Sequence, residues 1–461
     1  MDLATRFFKF LASIRLAVFI IISIGVISAI GTIYEARYDA RYAQEMVYNS
    51  PYMWIIMGLL AINLIAVMVD RWPWKKRHIG FVLAHVGIIL MLLGSVFTKF
   101  YGVDGSISFD IGQSNRYVTL QEHELSVYSS FADSRMTEMV KMDVNFFKNP
   151  PSEDHPFLLS FGNKSVSIKK YYHYGIRQSS INSSEDTVDG PGVRFQLQNK
   201  NVSLSEWLIR PQAKNYESIN MGPARVILSD GSYQYQGGNE VVLEAMPESS
   251  AIQYKIFTSS RGGLSSSGEI HAGESVETGW MGLTLRILRF LPRAKETISY
   301  TREQYPNKLT HPAIYLEYEG KPYWMALNSV LRFYDSDKVY IVVFGNKRIN
   351  IGFDMKLTQF KMSKYQGTNR AATYESDVDV PELGSVNISM NEPLKYNGFI
   401  FYQASFEQDE KGKPVTSILS VNYDPGRGLK YLGSFLLVLG SIILFYFKRG
   451  FFLKKPKGQQ S

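Results

Sequence analysis

The chain has 461 residues, 45% of them apolar and 14% aromatic, with no cysteine and a formal net charge of +8. A mean hydropathy of −0.11 excludes a protein embedded in a membrane throughout, and the lack of cysteine excludes direct thiol–disulfide chemistry by this chain. Twelve Lys/Arg and only two acids, Asp2 and Asp70, fall in the pieces assigned below to one side of a membrane; the rest is left at −2, which excludes a phosphate-binding surface for nucleic acid.

Four apolar segments, residues 16–33, 53–69, 79–98 and 431–447, approach the length a helix needs to cross a bilayer, about 20 residues. Ahead of the first, residues 3–15 combine Phe7, Phe8, Phe10 and Leu11 with Arg6, Lys9 and Arg15, the pattern of a short interfacial helix. Ser28, Ala29 and Gly31 offer the small residues of a signal-peptide end. The apolar core is too long for one and its basic flank too extended, so a retained anchor is expected.

Charge sets the orientation. Arg6, Lys9 and Arg15 precede the first span; Arg71, Lys75, Lys76 and Arg77 separate the second and third; Lys448, Arg449, Lys454, Lys455 and Lys457 follow the fourth. Four crossings put these pieces on one side, which the positive-inside rule makes the cytoplasm. The loop between the first two spans sets Arg37 and Arg41 against Glu35, Asp39 and Glu45, as suits an exported loop.

The third span is interrupted by His85, in the run RHIGFVLAHVGIILMLLGSVF. At 1.5 Å rise per residue it lies about 9 Å in from Ile79. An ionisable side chain at such depth is costly and usually functional. A neutral imidazole is also a common ligand for metals, haem iron included. The competing reading is a histidine that hydrogen-bonds a neighbouring helix. His78, at the membrane edge, is a weaker candidate ligand. Asn63 is the other strongly polar residue inside a span. Gly80, Ala84, Gly87 and Gly94 form a small-residue stripe, with Gly433 and Gly440 marking another in the fourth span. Gly87 is about 200° around the helix from His85, so one face can pack within the chain while the other meets a ligand or partner.

Residues 100–428 read as a large exported β region. Alternation predicts strands over 283–290 and 313–318, and Asp230-Gly231, Glu319-Gly320, Gly345-Asn346 and Asn397-Gly398 carry hairpin-turn chemistry. The polar stretches from Gln178 to Gly192 and from Ser259 to Ser275 read as long loops or seams between lobes. His123, His155, His173, His271 and His311 show no ligand spacing and read as ordinary surface or strand residues. The expected fold class is therefore membrane α-helical, with four transmembrane helices, plus a large mostly-β exported domain, sandwich- or barrel-like. The expected divisions are 1–99, 100–428 and 429–461.

Three motifs carry a family likeness. The third span with His85-Val86-Gly87 and Gly94 resembles that of the ResB (CcsB) membrane component of System II cytochrome c biogenesis. The run Asn391-Glu-Pro-Leu-Lys-Tyr-Asn-Gly-Phe-Ile-Phe-Tyr-Gln-Ala-Ser-Phe406 is similar to the family's signature before the last span. Tyr423-Asp-Pro-Gly426 with Lys430-Tyr-Leu-Gly433 resembles its approach into that span. The resemblance implies a subunit that moves haem across the bacterial inner membrane and delivers it for covalent attachment to apocytochrome c. It implies a CcsA/ResC-like membrane protein as partner, apocytochrome c as client and a thiol-reducing thioredoxin-like protein nearby. The partner family carries a tryptophan-rich haem-handling segment. Here Trp54, Trp72, Trp74, Trp207, Trp280 and Trp324 form no such run, which implies the separate subunit, non-catalytic or co-catalytic in a haem lyase complex. The cofactor implied is haem b as transient cargo shared with the partner. His85 would supply one axial ligand, and Lys75, Lys76 and Arg77 would meet its propionates. Two other classes stand beside this: a cofactor-free membrane-anchored β scaffold or sensor, and a b-type electron-transfer cytochrome. The latter calls for a second interior histidine that these spans lack.

Overall fold

The computed structural model describes residues 2–131, 135–222, 224–245, 251–335, 338–367, 371–409 and 414–447. Lys448, Arg449, Lys454, Lys455 and Lys457 lie outside the described residues. Four helices among those described are long and apolar enough to cross a membrane. They coincide with the four apolar runs and extend past them. A short helix, α1 (Leu3–Leu11), comes first, with Asp2 accepting from the Leu3 N–H. In α2 (Ile14–Arg37) the Ser13 hydroxyl accepts from the Leu16 N–H, and after α3 (Ala40–Ala43) Ser50 does the same for Met53 in α4 (Pro51–Asp70). Each such cap satisfies a backbone donor that the first helical turn leaves free, and Pro51 takes the first-turn position where it has no N–H to lose. A 3-10 turn over Lys76–His78 leads into α5 (Ile79–Tyr101), and α6 (Arg427–Phe447) comes last.

Asn63, buried in α4, donates from Nδ2 to the Leu11 carbonyl at 2.6 Å. It thereby satisfies a carbonyl at the end of α1, which explains a polar side chain inside that span. Lys9 on α1 pairs with Asp70 at 2.6 Å, so α1 is tied to α4 at two points.

The glycine stripe has a partner within the chain. A Cβ placed on Gly87 would stand 2.6 Å from the Gly433 carbonyl oxygen, one on Gly80 2.9 Å from that of Gly440, and one on Gly94 2.8 Å from that of Gly426. The three contacts recur every seven residues, two helical turns, along antiparallel α5 and α6. Backbones this close exclude any side chain at those positions, and close packing is the main attraction available between helices in lipid. Asp424 secures the Thr98 end of this pair: it accepts from Thr98 Oγ1 at 2.5 Å and from the Gly426 N–H at 3.0 Å, and pairs with Lys430 at 2.6 Å. The Tyr423-Asp-Pro-Gly426 motif thus joins the end of α5 to the start of α6.

The chain forms two compact units, residues 1–174 with 303–461, and Gly175–Arg302. In the first, a ten-stranded sheet curls on itself. Ile107, Val118, Leu357, Val378, Phe401, Leu419 and Val421, from strands across its width, share one core. A second core packs Leu125, Val127, Val342 and Phe344 of this sheet on Leu159, Val166, Ile314 and Leu316 of another. Barrel-like curl and sandwich therefore occur in the same unit. The Gly175–Arg302 unit is a sandwich: Val193, Phe195 and Ile287 face Val226, Leu243 and Ile256 across one core.

The turns divide by context. Glu319-Gly320 and Asn397-Gly398 close hairpins with both residues at positive φ. Gly345-Asn346 closes none; it lies inside the strand Lys338–Lys364, next to a bulge between Asn346 and Arg348. Asp230-Gly231 closes none either, because Ala224–Ser229 and the strand after it, Asn239–Ala245, run parallel. The polar stretch from Ser259 contains a paired strand, Gly263–Ile270, that alternates exposed and covered residues at a sheet edge. The stretch from Gln178 begins as strand, with residues 175–183 paired to Ala294–Arg302. The seams fall instead at Tyr174/Gly175 and Arg302/Glu303.

Candidate functional site

α4 ends at Asp70, and residues 71–78 reverse the chain into α5. His78 is held by this connection: its Nδ1 faces the Lys75 backbone N–H at 3.4 Å and its Nε2 the Arg77 Nε at 3.2 Å. Both nitrogens are thus turned toward neighbouring N–H groups. Lys75, Lys76 and Arg77 are exposed.

His85 differs. Its Nδ1 lies 2.9 Å from the Phe81 carbonyl oxygen one turn earlier. A carbonyl can only accept, so Nδ1 carries the proton and Nε2 of the neutral ring keeps its lone pair. A backbone hydrogen bond of this kind orients ligating imidazoles and fixes their tautomer. The Phe81 ring covers one side of the imidazole, centroids 3.9 Å apart and planes inclined 40°. Arg71, just past the end of α4, places its guanidinium carbon 4.0 Å over the Phe81 ring. Phe81 therefore touches both Arg71 and His85. The sequence reading assigned anion contacts to Lys75, Lys76 and Arg77 and used Arg71 only for topology. The helical spacing of Phe81 and His85 was available as a signal, but the fold of the connection that brings Arg71 onto them was not. Among the described residues no three His, Asp or Glu side chains converge as a metal site.

A second polar cluster, which the sequence reading also missed, ties the α2–α4 loop to the sheets of the same unit. Arg41 donates to Nε2 of His123 at 2.7 Å, and His123 is 2% exposed. Tyr174 donates to Asp39 at 2.8 Å, His173 Nε2 stands 3.4 Å from the same carboxylate, and Tyr171 meets His173 Nδ1 at 2.9 Å. Glu45 pairs with Lys148 at 3.0 Å and Arg37 donates to Tyr305 at 2.6 Å. Burial, then the Arg41 charge, pushes the His123 imidazole down to about 3. Burial alone would raise the Asp39 carboxyl, but hydrogen bonds from His173, Tyr42 and Tyr174 outweigh it and hold it down at about 2. A neutral buried imidazole that accepts from arginine has spent its free lone pair. Geometry makes this cluster a latch and not a ligand site.

The signature run 391–406 has a structural account. Asn397-Gly398 turns the hairpin of Leu394–Tyr396 with Phe399–Gln408, and a Cβ on Gly398 would strike the Tyr423 ring at 2.8 Å. Gln403 joins Ser376 and Ser417 in a buried hydrogen-bonded network, with Ser376 Oγ 2.6 Å from both Gln403 Oε1 and Ser417 Oγ. A cavity of about 570 Å³ opens where the end of α5 meets the sheet, lined by Thr98, Lys99, Gly102, Thr119, Asn422 and Tyr423 among others.

Comparison with known proteins locates the likeness. Residues 335–418 match the model of the ResB-like family. This segment contains the signature run but not the His85 span. Protein NrfI of Wolinella succinogenes is 35% identical over 104 residues, 22% of this chain; the chain spans 11% of that relative's length.

Proposed function

We propose that the chain, whose residues 335–418 match the ResB-like family, is a ResB-type protein that works in System II cytochrome c biogenesis, carrying haem across the cytoplasmic membrane with a CcsA/ResC-like partner for attachment to apocytochrome c. Haem is the cargo, and His85 is the residue that holds it. The carrying observation is the protonated Nδ1 tied to the Phe81 carbonyl, which leaves Nε2 as a donor inside a membrane span. Orientation is fixed by the backbone and the Phe81 ring, so the imidazole needs little reorganisation on binding.

One ligand from this chain and one from the partner suit a carrier. A site split between two proteins can open when they shift, whereas a site closed within one bundle would retain its cargo. The α5–α6 glycine seam supports this division of labour, since it packs one face of α5 within the chain. The basic pieces face the cytoplasm and the β region lies outside, where the client is. There the latch at Asp39, Arg41, His123 and His173 holds the sheets to the first two spans, and the sheets offer the docking surface for the apoprotein.

The test is the absorption spectrum of this chain purified with its membrane partner. A Soret band with the sharp visible bands of six-coordinate, low-spin haem is expected, and His85→Ala should lose it while still inserting and assembling. A wild-type complex without haem, or an unchanged spectrum in the variant, contradicts the assignment.

A further inference from the structure

We infer that Arg71 anchors an anionic carboxylate at the rim of the planar ligand held by His85. This deepens the haem reading above and rests on it. The guanidinium carbon lies 4.0 Å over Phe81, whose centroid lies 3.9 Å from that of His85, so cation and imidazole are within about 8 Å. A macrocycle centred on a metal bears its carboxylates at its edge, several ångströms from the metal, and a cation at this remove from the ligating ring meets that geometry.

The donor edge of Arg71 is unspent. Among the described residues no carboxylate pairs with it, and its neighbour Asp70 is taken by Lys9 at 2.6 Å. The planar fork of an arginine binds a carboxylate through two parallel hydrogen bonds while its face rests on an aromatic ring. Phe81 supplies that ring. It also makes a single support for both groups, since its carbonyl holds His85 and its face holds Arg71. Lys75 and Lys76 lack such a support and Arg77 is turned onto His78. The same chemistry would recognise a phospholipid headgroup at the membrane edge, and the experiment separates the two sources.

The experiment uses the complex with its membrane partner in nanodiscs, titrated with haemin or haemin dimethyl ester and followed by the Soret band. Wild type should bind haemin about tenfold or more tightly than the ester, the scale of one charge-assisted hydrogen-bonded pair. Arg71→Gln should lose that preference by weakening haemin alone, and Arg71→Lys should fall between. The preference of wild type for the acid form is read without any substitution and so survives a variant that fails to assemble. Equal binding of both porphyrins by wild type overturns the proposal, as does an Arg71→Gln loss that is equal for the two, which would make Arg71 a support for the Phe81–His85 stack. A preference seen in dodecyl maltoside micelles, which hold no phosphate, but lost in nanodiscs of either phosphatidylcholine or phosphatidylglycerol shows headgroup phosphate to be the stronger occupant and also overturns it. Failure of wild type to bind either porphyrin rejects the haem reading itself.

Discussion

Two histidines in this chain show how a proposed ligand site and a structural site differ. His123 is 2% exposed, accepts from Arg41 and is held neutral down to about 3. His85 is half-buried, donates through Nδ1 and keeps Nε2 open, and an aromatic ring and a cation stand beside it without consuming that atom. Burial alone would rank His123 as the more suggestive residue. The direction of the hydrogen bonds reverses that order, because a metal needs a lone pair that the protein has not already used.

The largest effects should separate the two. His85→Ala should abolish haem on the purified complex and stop cytochrome c assembly, with exogenous imidazole restoring part of both, while leaving thermal stability near wild type. His123→Ala should do the reverse, leaving the partly buried Arg41 guanidinium without its acceptor at a cost of about 1–3 kcal/mol. Its haem spectrum should persist in the fraction that folds. Loss of the haem spectrum in folded His123→Ala would erase the distinction.

Gly433→Leu tests the other face of α5. Its new side chain would meet the Gly87 carbonyl and Met91, where even a Cβ stands 2.5 Å from oxygen. Separation of α5 from α6 is expected, read as lost cross-linking between cysteines introduced at Met91 and Ser434, whose side chains meet at 3.3 Å. Gly25→Leu, at a position with no neighbour within 4 Å, should have no such effect.

A smaller effect distinguishes the latch by pH. The unfolded chain protonates His123 near the ordinary value of about 6.5, but the folded one does so only near 3. Stability from this residue is complete above 6.5 and falls as pH drops from there toward 3. The contribution of Asp39, with its carboxyl held at about 2, is intact above the ordinary carboxylate range and falls as pH drops from about 4 toward 2. Unfolding midpoints measured between pH 7.5 and 4.5 should decline in wild type and flatten in His123→Gln. Equal slopes would mean that His123 is not held neutral.

The sequence made the membrane part legible because lipid enforces simple patterns there. Apolar runs marked the helices, small residues at Gly80, Gly87 and Gly94 marked a packed face, and a lone His85 stood out against its surroundings. Asn63 stood out too, although its role at the Leu11 carbonyl depended on how α1 turns into α2. The β region was legible in kind but not in detail. Glu319-Gly320 and Gly345-Asn346 look alike in sequence, yet the first turns a hairpin and the second lies within a 27-residue strand, because pairing with distant strands decides which occurs. The latch was hidden for the same reason: Arg41 and His123 are 82 residues apart and Asp39 and Tyr174 are 135 apart, with no spacing rule to connect them. Arg71 was close in sequence to His85 but reaches Phe81 only through the fold of residues 71–78.

The central claim is that an imidazole of this chain coordinates haem iron inside the membrane. Electron–nuclear double resonance on the ferric complex tests it directly, with this chain alone carrying ¹⁵N-histidine and the partner unlabelled. The account predicts one strongly coupled ¹⁵N per haem, retained in His78→Ala and His123→Gln, with His85→Ala, which loses its haem, as the blank. A haem-bearing wild-type complex with no ¹⁵N coupling would show that every axial ligand comes from outside this chain and would contradict the account.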